Sequence, residues 1–370
     1  MRKRWIISWL AGLLTISGGG AQVLPDWALG EFVRPEGVNP VISPDPESKF
    51  YCPMREKLIG WEESDTFNPA ATLKDGKICV LYRAEDNTAQ GIGKRTSRIG
   101  LAETTDGVTM KRFKAPVMFP DKDNVREYEW EGGCEDPRVA MTEDGLYVML
   151  YTAWNRDVPR LSVATSRDLK KWEKHGPAFA EAYNGRFQDL ACKSGSIVTQ
   201  VKDGKQVIAK VNGKYWMYWG EHMVAVATSD DLIHWVPLLD EQNELLGLIY
   251  PREGYFDSAL TECGPPALIT DKGILLLYNG KNRTDEKRSK EYTAGTYSAG
   301  QVLFSLENPC QAIARLDKPF FKPEADFEKS GQYADGTVFI EGLVLYQGKW
   351  FLYYGCADSK VGVAICCPEK

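Results

Sequence analysis

A similar unit recurs five times along this chain, and this repetition constrains the fold more than any other feature of the sequence. Each unit carries a polar or charged residue at or near the start of a strand-like run. It then passes through a Gly turn into an aromatic-rich run that ends on a further polar residue. Repeats of this kind indicate a radial or solenoid architecture, so the polar positions are expected to converge on a shared axis. The units span residues 67–86, 135–154, 193–221, 262–280 and 339–358.

Strand patterns dominate within each unit. Alternating, β-branched and aromatic runs at 78–82, 146–151 and 350–354 predict strands, and Gly-containing turns such as those at 74–76 and 143–145 predict hairpins. The interval of roughly sixty to eighty residues between units suits a four-stranded blade with long loops. The sequence therefore predicts an all-β fold, a five-bladed β-propeller in which the first strand of each blade lies nearest the axis.

The first residues predict a targeting segment. Arg2, Lys3 and Arg4 precede a short apolar run, and small residues follow up to Ala21. This is the pattern of a cleavable signal peptide, and the apolar run is too short to span a membrane. We expect residues 1–21 to be removed, leaving a single catalytic propeller domain at 22–370 in the periplasm or outside the cell.

Charge and cysteine content narrow the possible partners. Removing the three cations of the signal changes the formal net charge from −6 to −9, which argues against nucleic acid and anionic membranes and is compatible with a neutral substrate such as a sugar. The nine cysteines form no CxxC pair, and the chain has only three His. We therefore expect few or no disulfides, no metal site and no cofactor. Cysteines within strand-like runs, such as Cys79 and Cys192, are expected to be small buried residues.

The axial positions are rich in carboxylates and also carry two kinds of cation. One carboxylic acid can assist the departure of a leaving oxygen while a second activates water or attacks, so this set is typical of glycosidic bond chemistry. Trp154, Trp219 and Tyr255 are candidates for stacking on sugar faces. A non-catalytic glycan-binding propeller is an open alternative, because propellers also serve as lectins. The candidates are Asn68, Arg83, Glu85, Asp86, Asp136, Arg138, Lys193, Glu221, Glu262 and Asp358, with Asp257 joining from a loop.

Several of these motifs together resemble glycoside hydrolase family 130. The resemblance rests on Phe-Asn-Pro-Ala at 67–70, Tyr-Arg-Ala-Glu-Asp at 82–86, Gly-Cys-Glu-Asp-Pro-Arg-Val at 133–139, Gly-Pro-Pro at 264–266 and Tyr-Gly-Cys-Ala-Asp at 354–358. It covers nearly the whole mature chain. It implies a five-bladed propeller that acts on β-mannosides with inversion, in a family that contains both phosphorylases and hydrolases.

The resemblance also implies roles for individual residues. It makes Asp136 the general acid, with the proton reaching the glycosidic oxygen through a hydroxyl of the bound mannose. Asn68, Arg83 and Asp358 would hold that mannose. Arg138 is open between substrate binding and a structural ion pair.

Two positions separate the two branches of the family. The family's phosphorylases typically carry a basic or His residue where this chain has Glu221, and a neutral residue where it has Glu262. Two added carboxylates would repel phosphate and suit a base that activates water, as in the family's β-1,2-mannosidases. We therefore expect an exo-acting, inverting hydrolase of mannose-containing oligosaccharides with Glu221 and Glu262 as candidate bases. Lys193 keeps phosphorolysis open as the alternative.

Overall fold

The computed structural model describes residues 23–367, so the predicted signal peptide at 1–21 lies outside the described residues. Within that range, helical structure is limited to helix α1 (Arg126–Glu129) and one 3-10 turn (Asp326–Glu328). The prediction of an all-β fold is confirmed, while the number of blades stays a prediction. No helix in residues 23–367 is both long and apolar enough to cross a membrane.

The first half of the chain forms a hairpin and two antiparallel meanders. Residues of the central strands are buried on both faces, which is why their sequences read as continuous apolar runs. The strands are β1 (Lys49–Cys52), β2 (Lys57–Gly60), β3 (Asp65–Lys74), β4 (Lys77–Glu85), β5 (Ser97–Thr104), β6 (Lys111–Arg112), β7 (Gly133–Met141), β8 (Tyr147–Trp154), β9 (Pro159–Ser166) and β10 (Glu173–Pro177).

The second half repeats the pattern in three further meanders. Their strands are β11 (Gly195–Lys202), β12 (Lys205–Ile208), β13 (Lys210–Val211), β14 (Lys214–Trp219), β15 (Val224–Ser229), β16 (Trp235–Pro237), β17 (Gly247–Ile249), β18 (Leu260–Cys263), β19 (Ala267–Ile269), β20 (Ile274–Lys281), β21 (Tyr297–Phe304), β22 (Ala312–Arg315), β23 (Val338–Tyr346), β24 (Lys349–Cys356) and β25 (Lys360–Cys366).

Strand pairing joins the meanders edge to edge. The path β10-β9-β8-β7-β5-β4-β3 forms one sheet, and the path β16-β15-β14-β11-β19-β20-β21-β22 forms another, while β23-β24-β25 is separate. The joins are short parallel contacts, Ser97 with Gly133 and Val198 with Ala267. The N-terminal segment lies against the free edge of β25 through bridges from Val33 and Ile42. This segment therefore covers the edge of the last meander.

Five apolar clusters lie between neighbouring meanders, and one of them joins the first meander to the last. In that cluster Val80 and Tyr82 of β4 pack with Tyr353 of β24 and Val361 of β25. Strand β3 also contacts both β7 and β23, so the strands that begin the meanders lie close together. The cysteines of the repeats are buried free thiols, as predicted for Cys79 and its counterparts.

Candidate active site

Polar residues at or next to strand ends adopt an unusual backbone conformation. Asn68, Asp136, Ser194 and Asp358 have φ values of 46°, 49°, 61° and 51°. The strand register shifts around two of them, between Phe67 and Pro69 and between Glu135 and Arg138. Left-handed backbone at non-Gly residues costs on the order of 1 kcal/mol and is concentrated at functional sites. These bulges therefore mark the inner strand ends as the place to look for a site.

A cavity of about 280 Å³ opens at these strand ends. It brings together six of the residues predicted from the sequence, and three aromatic side chains besides Trp154 form part of its wall. The predicted residues are Asn68, Arg83, Asp136, Lys193, Glu221 and Asp358, and the added aromatics are Tyr297, Tyr333 and Phe339.

Arg83 holds three carboxylates on one side of the cavity. Its Nη1 donates to Asp136 Oδ1 at 3.0 Å, and its Nη2 donates to Glu85 Oε1 at 2.7 Å and to Glu135 Oε1 at 2.8 Å. The guanidinium also lies over the ring of Phe67, 4.6 Å from its centroid. Asn68 Nδ2 donates to the same Asp136 oxygen at 2.9 Å. Asp136 is therefore fixed from two strands.

The pKa values of the carboxylates around the cavity are shifted in opposite directions. Burial opposes ionisation of Asp136, but Arg83 and Lys193 hold its pKa well below the usual range. Burial raises the pKa of Glu135 to about 7, with Asp136 and Glu85 adding to the rise against Arg83. Burial likewise raises the pKa of Asp358 to about 7. Near neutral pH Glu135 and Asp358 are therefore partly protonated beside an ionised Asp136.

Lys193 joins the predicted acid to both predicted bases. Its Nζ lies 3.9 Å from Asp136 Oδ2, 3.4 Å from Glu221 Oε1 and 3.3 Å from Glu262 Oε1. Because the acid and the bases contact the same nitrogen, Asp136 Oδ2 lies within about 7.3 Å of the nearer oxygen of each Glu.

The two Glu residues differ in exposure. The Glu221 side chain is 33% exposed and lines the cavity. Glu262 is 1% exposed, accepts from Ser194 Oγ at 2.5 Å, and its Oε2 has no hydrogen-bond partner among the described residues. Burial raises the pKa of Glu262 against the charge of Lys193. Glu221 is thus the base candidate in contact with solvent, and Glu262 is the buried one behind Lys193.

Arg138 lies beneath the cavity and does not line it. It donates to the backbone oxygens of Asp136 at 3.0 Å, Cys263 at 2.8 Å and Gly264 at 3.3 Å. Its Nη1 is 2.9 Å from Glu341 Oε1, and both side chains are almost completely buried. Of the two roles left open by the sequence, the geometry matches the structural ion pair.

Three other predicted residues also lie outside the cavity lining. Glu85 is held behind Arg83, and Asp86 pairs with buried Arg98 at 2.9 Å. Asp257 is fully buried, with its Oδ2 3.0 Å from Arg252 Nη2 and 2.6 Å from Arg315 Nη2. All three carboxylates are engaged by cations rather than turned toward a ligand.

Sequence reasoning missed several cavity residues. Glu135 stands inside the Glu-Asp-Pro-Arg motif but was not selected, and Phe339 begins the fifth repeat unit. Tyr297 and Tyr333 come from segments outside the quoted motifs, so only spatial proximity finds them. Of the predicted stacking aromatics, Trp154 lines the cavity, Trp219 is buried against Phe179, and Tyr255 lies under Arg252 outside it.

The cavity unites acidic groups, hydroxyls and aromatic walls in a space suited to one or two sugar units, a combination typical of carbohydrate-active enzymes. Among residues 23–367 no group of three or more His, Cys, Asp or Glu is arranged to hold a metal ion. The chain belongs to glycoside hydrolase family 130, since the family's sequence profile, described as β-1,4-mannooligosaccharide phosphorylase, matches residues 56–370.

Similar proteins include some described as phosphorylases and some described as hydrolases. A 1,2-β-oligomannan phosphorylase of Thermoanaerobacter sp. is 32% identical over 82% of this chain and 90% of its own length. A glycosyl hydrolase of Bacteroides ovatus is 63% identical over 94% of this chain and 97% of its own, with a TM-score of 0.92. A further structure is 62% identical over 95% of this chain and 98% of its own, with a TM-score of 0.94. Its description says that the GH130 family of mannoside phosphorylases contains glycoside hydrolases that target β-1,2 mannosidic linkages in Candida mannan.

Proposed function

We propose that this protein is an inverting, exo-acting β-mannosidase that hydrolyses β-1,2-linked mannosides without a metal ion. The proposal depends on the observation that both cations lining the cavity are already paired with carboxylates. Arg83 already contacts Glu85, Glu135 and Asp136, and Lys193 already contacts Asp136, Glu221 and Glu262.

A phosphate dianion needs cationic donors that are free to bind it. Here each lining cation is surrounded by carboxylates, which would repel phosphate at short range. A neutral sugar and a water molecule meet no such repulsion, because carboxylates accept hydrogen bonds from their hydroxyl groups. The charge of the cavity therefore favours water over phosphate as the attacking group.

In the proposed reaction Asp136 is the general acid, and Glu221 with Glu262 activates water. Inverting enzymes separate acid and base carboxyl groups by roughly 6.5–9.5 Å to accommodate that water. The limit of about 7.3 Å imposed by Lys193 is compatible with the short end of this range. Asn68, Arg83 and Asp358 hold the mannose whose linkage is cleaved.

Asp136 must carry a proton before it can act as an acid. Its pKa is held low in the free protein, whereas Glu135 and Asp358, which line the same cavity, have pKa values of about 7. In the proposed mechanism a proton moves from Glu135 or Asp358 to Asp136 when the substrate binds, and Asp136 then passes it through the mannose hydroxyl to the glycosidic oxygen.

The comparisons add support from relatedness. The structure associated with β-1,2-mannoside hydrolases is 62% identical to this chain, whereas the oligomannan phosphorylase is 32% identical. Closer sequence identity favours the hydrolytic branch of the family. The descriptions of both proteins name a β-1,2 linkage, and we carry this linkage over to the proposed substrate.

The proposal includes the architecture and the location of the protein. Five apolar clusters, one of which joins the first and last meanders, support a closed five-bladed propeller with the cavity at its axis. The charged and apolar pattern of residues 1–21 supports export to the periplasm or beyond.

The direct test is to incubate the protein with β-1,2-mannobiose, with and without inorganic phosphate, and to identify products by ion-exchange chromatography. Free mannose released at a phosphate-independent rate is the expected result. Mannose 1-phosphate that forms only with phosphate would refute hydrolysis. Turnover only of other β-mannoside linkages would refute the proposed specificity.

Phosphorolysis is the second candidate, because the family profile and the oligomannan relative are both described as phosphorylases. It would require Lys193 to leave its carboxylates and bind phosphate. A Glu221→Gln variant separates the two candidates: hydrolysis predicts a lower rate, whereas phosphorolysis predicts tighter phosphate binding.

A further inference from the structure

Lys281 stands at the end of β20 beside the aromatic wall of the cavity. Its Nζ donates a hydrogen bond to the Tyr333 hydroxyl at 2.6 Å and lies 4.9 Å and 5.0 Å from the ring centroids of Tyr333 and Tyr297. In the part of the chain that the structure describes, this ammonium forms no ion pair with a carboxylate. The phenol of Tyr333 is therefore its main polar partner.

The direction of this hydrogen bond determines what Tyr333 offers to the cavity. A lysine ammonium can only donate, so the Tyr333 oxygen must accept. The hydroxyl's own proton then points elsewhere, and within residues 23–367 it is donated to no acceptor. Because Tyr333 lines the cavity, this O–H group is available to donate to a molecule bound there.

Such a donor complements the rest of the cavity. Asp136 and Glu221 supply acceptors, and the lining cations Arg83 and Lys193 are already engaged by carboxylates. A sugar hydroxyl both donates and accepts, so carboxylates satisfy its proton but not its oxygen. A free O–H group can satisfy that oxygen.

The position of Tyr333 indicates which sugar unit it faces. The preceding residue, Gln332, donates to Glu85 Oε2 at 3.3 Å and to the backbone oxygen of Asp358 at 3.0 Å. The ring of Tyr333 meets that of Tyr297 edge-on, with centroids 5.4 Å apart. Tyr333 therefore lies on the Asp358 side of the cavity.

We propose that Tyr333 contacts the substrate by donating a hydrogen bond, polarised by Lys281, to an oxygen of the mannose unit held by Asp358. This inference rests on the proposed mannoside substrate and adds a specificity-determining pair to it. A hydrogen bond in a chain that begins with a charged donor is stronger than an isolated neutral one.

Binding of β-1,2-mannobiose, measured by calorimetry in an Asp136→Asn background to prevent turnover, tests the inference. Adding Tyr333→Phe is expected to raise Kd about 10- to 100-fold, because the sugar oxygen loses a charge-assisted donor. Adding Lys281→Met instead is expected to raise Kd about 3- to 10-fold, and combining the two changes should cost little more than Tyr333→Phe alone.

The control is Tyr183→Phe in the same background. The Tyr183 hydroxyl donates to the Pro237 backbone oxygen at 3.0 Å, and the residue is 44% exposed and not part of the cavity lining. Its Kd should equal that of the background protein. Lys281→Met retains the Tyr333 ring, so it also tests the role of the polarised hydroxyl if Tyr333→Phe disturbs folding.

Two failures can be told apart. If the wild-type protein and the Asp136→Asn protein bind no β-mannoside, the proposed function is refuted together with this inference. If the background protein binds mannobiose and Tyr333→Phe leaves Kd unchanged, only the role of Tyr333 is refuted. Fully additive effects of Tyr333→Phe and Lys281→Met would also overturn the proposed polarisation.

Discussion

Replacing Lys193 with Met tests the electrostatic core of the proposed mechanism. The lysine nitrogen lies 3.3 Å from Glu262, 3.4 Å from Glu221 and 3.9 Å from Asp136, and the side chain is 21% exposed. Methionine keeps a similar length and apolar stem while it removes the charge. The three carboxylates then face one another without their shared cation.

The distances set the size of the effect. At an effective dielectric constant near 20, a unit charge pair at about 3.3 Å interacts by roughly 5 kcal/mol. Solvent at the partly exposed lysine screens this, and halving it leaves about 2.5 kcal/mol for ionisation of the base. If that whole amount acts on the base alone, kcat/KM falls about 70-fold at neutral pH, and this is the upper limit because the raised pKa of Asp136 acts in the opposite direction.

The sign of the pH dependence follows from the lost cation. Lys193 lowers the pKa of Glu262 and of Asp136, so its removal raises both. The base must be ionised and the acid protonated, so both limbs of the kcat/KM profile should move to higher pH. Rates of mannose release across the pH range measure this shift.

The matched control is Lys202→Met, which removes an exposed lysine that pairs with Glu143 at 2.7 Å far from the cavity lining. Its profile should match that of the wild type. If Lys193→Met lowers kcat/KM equally at every pH, the electrostatic argument is wrong. If the loss appears only in the presence of phosphate, Lys193 is a phosphate ligand instead.

Three further predictions follow from the same cavity. Asp136→Asn should lower kcat about 10²- to 10⁴-fold with little unfolding, because the amide oxygen can still accept from Asn68 and Arg83; rates and a melting curve check this, and a loss under tenfold would reject Asp136 as the acid. Arg138→Met should cost about 3–5 kcal/mol in urea unfolding, because it leaves Glu341 buried and unpaired; an unchanged midpoint would contradict this. Asp358, whose pKa is raised to about 7, contributes stability below its ordinary pKa that is lost as pH rises toward 7. Asp358→Asn should therefore flatten the pH dependence of the unfolding free energy in that window, and an identical slope in wild type and variant would refute the assignment.

Repetition made much of the site predictable. The five units share the same order of strands and turns, so their polar and charged residues fall at equivalent strand ends. Equivalent ends of the innermost strands of a propeller face one another. For this reason Asn68, Asp136 and Lys193 were identified from the sequence and line one cavity in the structure. The all-β fold followed from the same repetition, because apolar and aromatic runs of strand length separated by Gly turns leave little room for helices.

Side-chain direction within those strand ends was not predictable. In a regular strand Glu135 and Asp136 would point to opposite faces. The register shift between Glu135 and Arg138, with left-handed backbone at Asp136, lets both line the cavity. A bulge inserts a residue without a strong local sequence signal. The rule that alternate residues of a strand point to opposite faces therefore fails at Glu135 and Asp136.

The sequence by itself determined the class of fold, the family and the types of chemical group available. Tertiary structure alone decided which carboxylates line the cavity. Asp86 and Asp257 look as promising in the sequence as Asp358, yet Arg98 neutralises the first, and Arg252 with Arg315 neutralises the second, away from the cavity. The physical reason is that a buried carboxylate requires a cation, and those cations come from positions 5 to 58 residues away. Their approach depends on strand pairing and loop paths within a meander, since Arg98 lies on β5 beside β4 and Arg315 lies on β22, and the sequence motifs do not encode this.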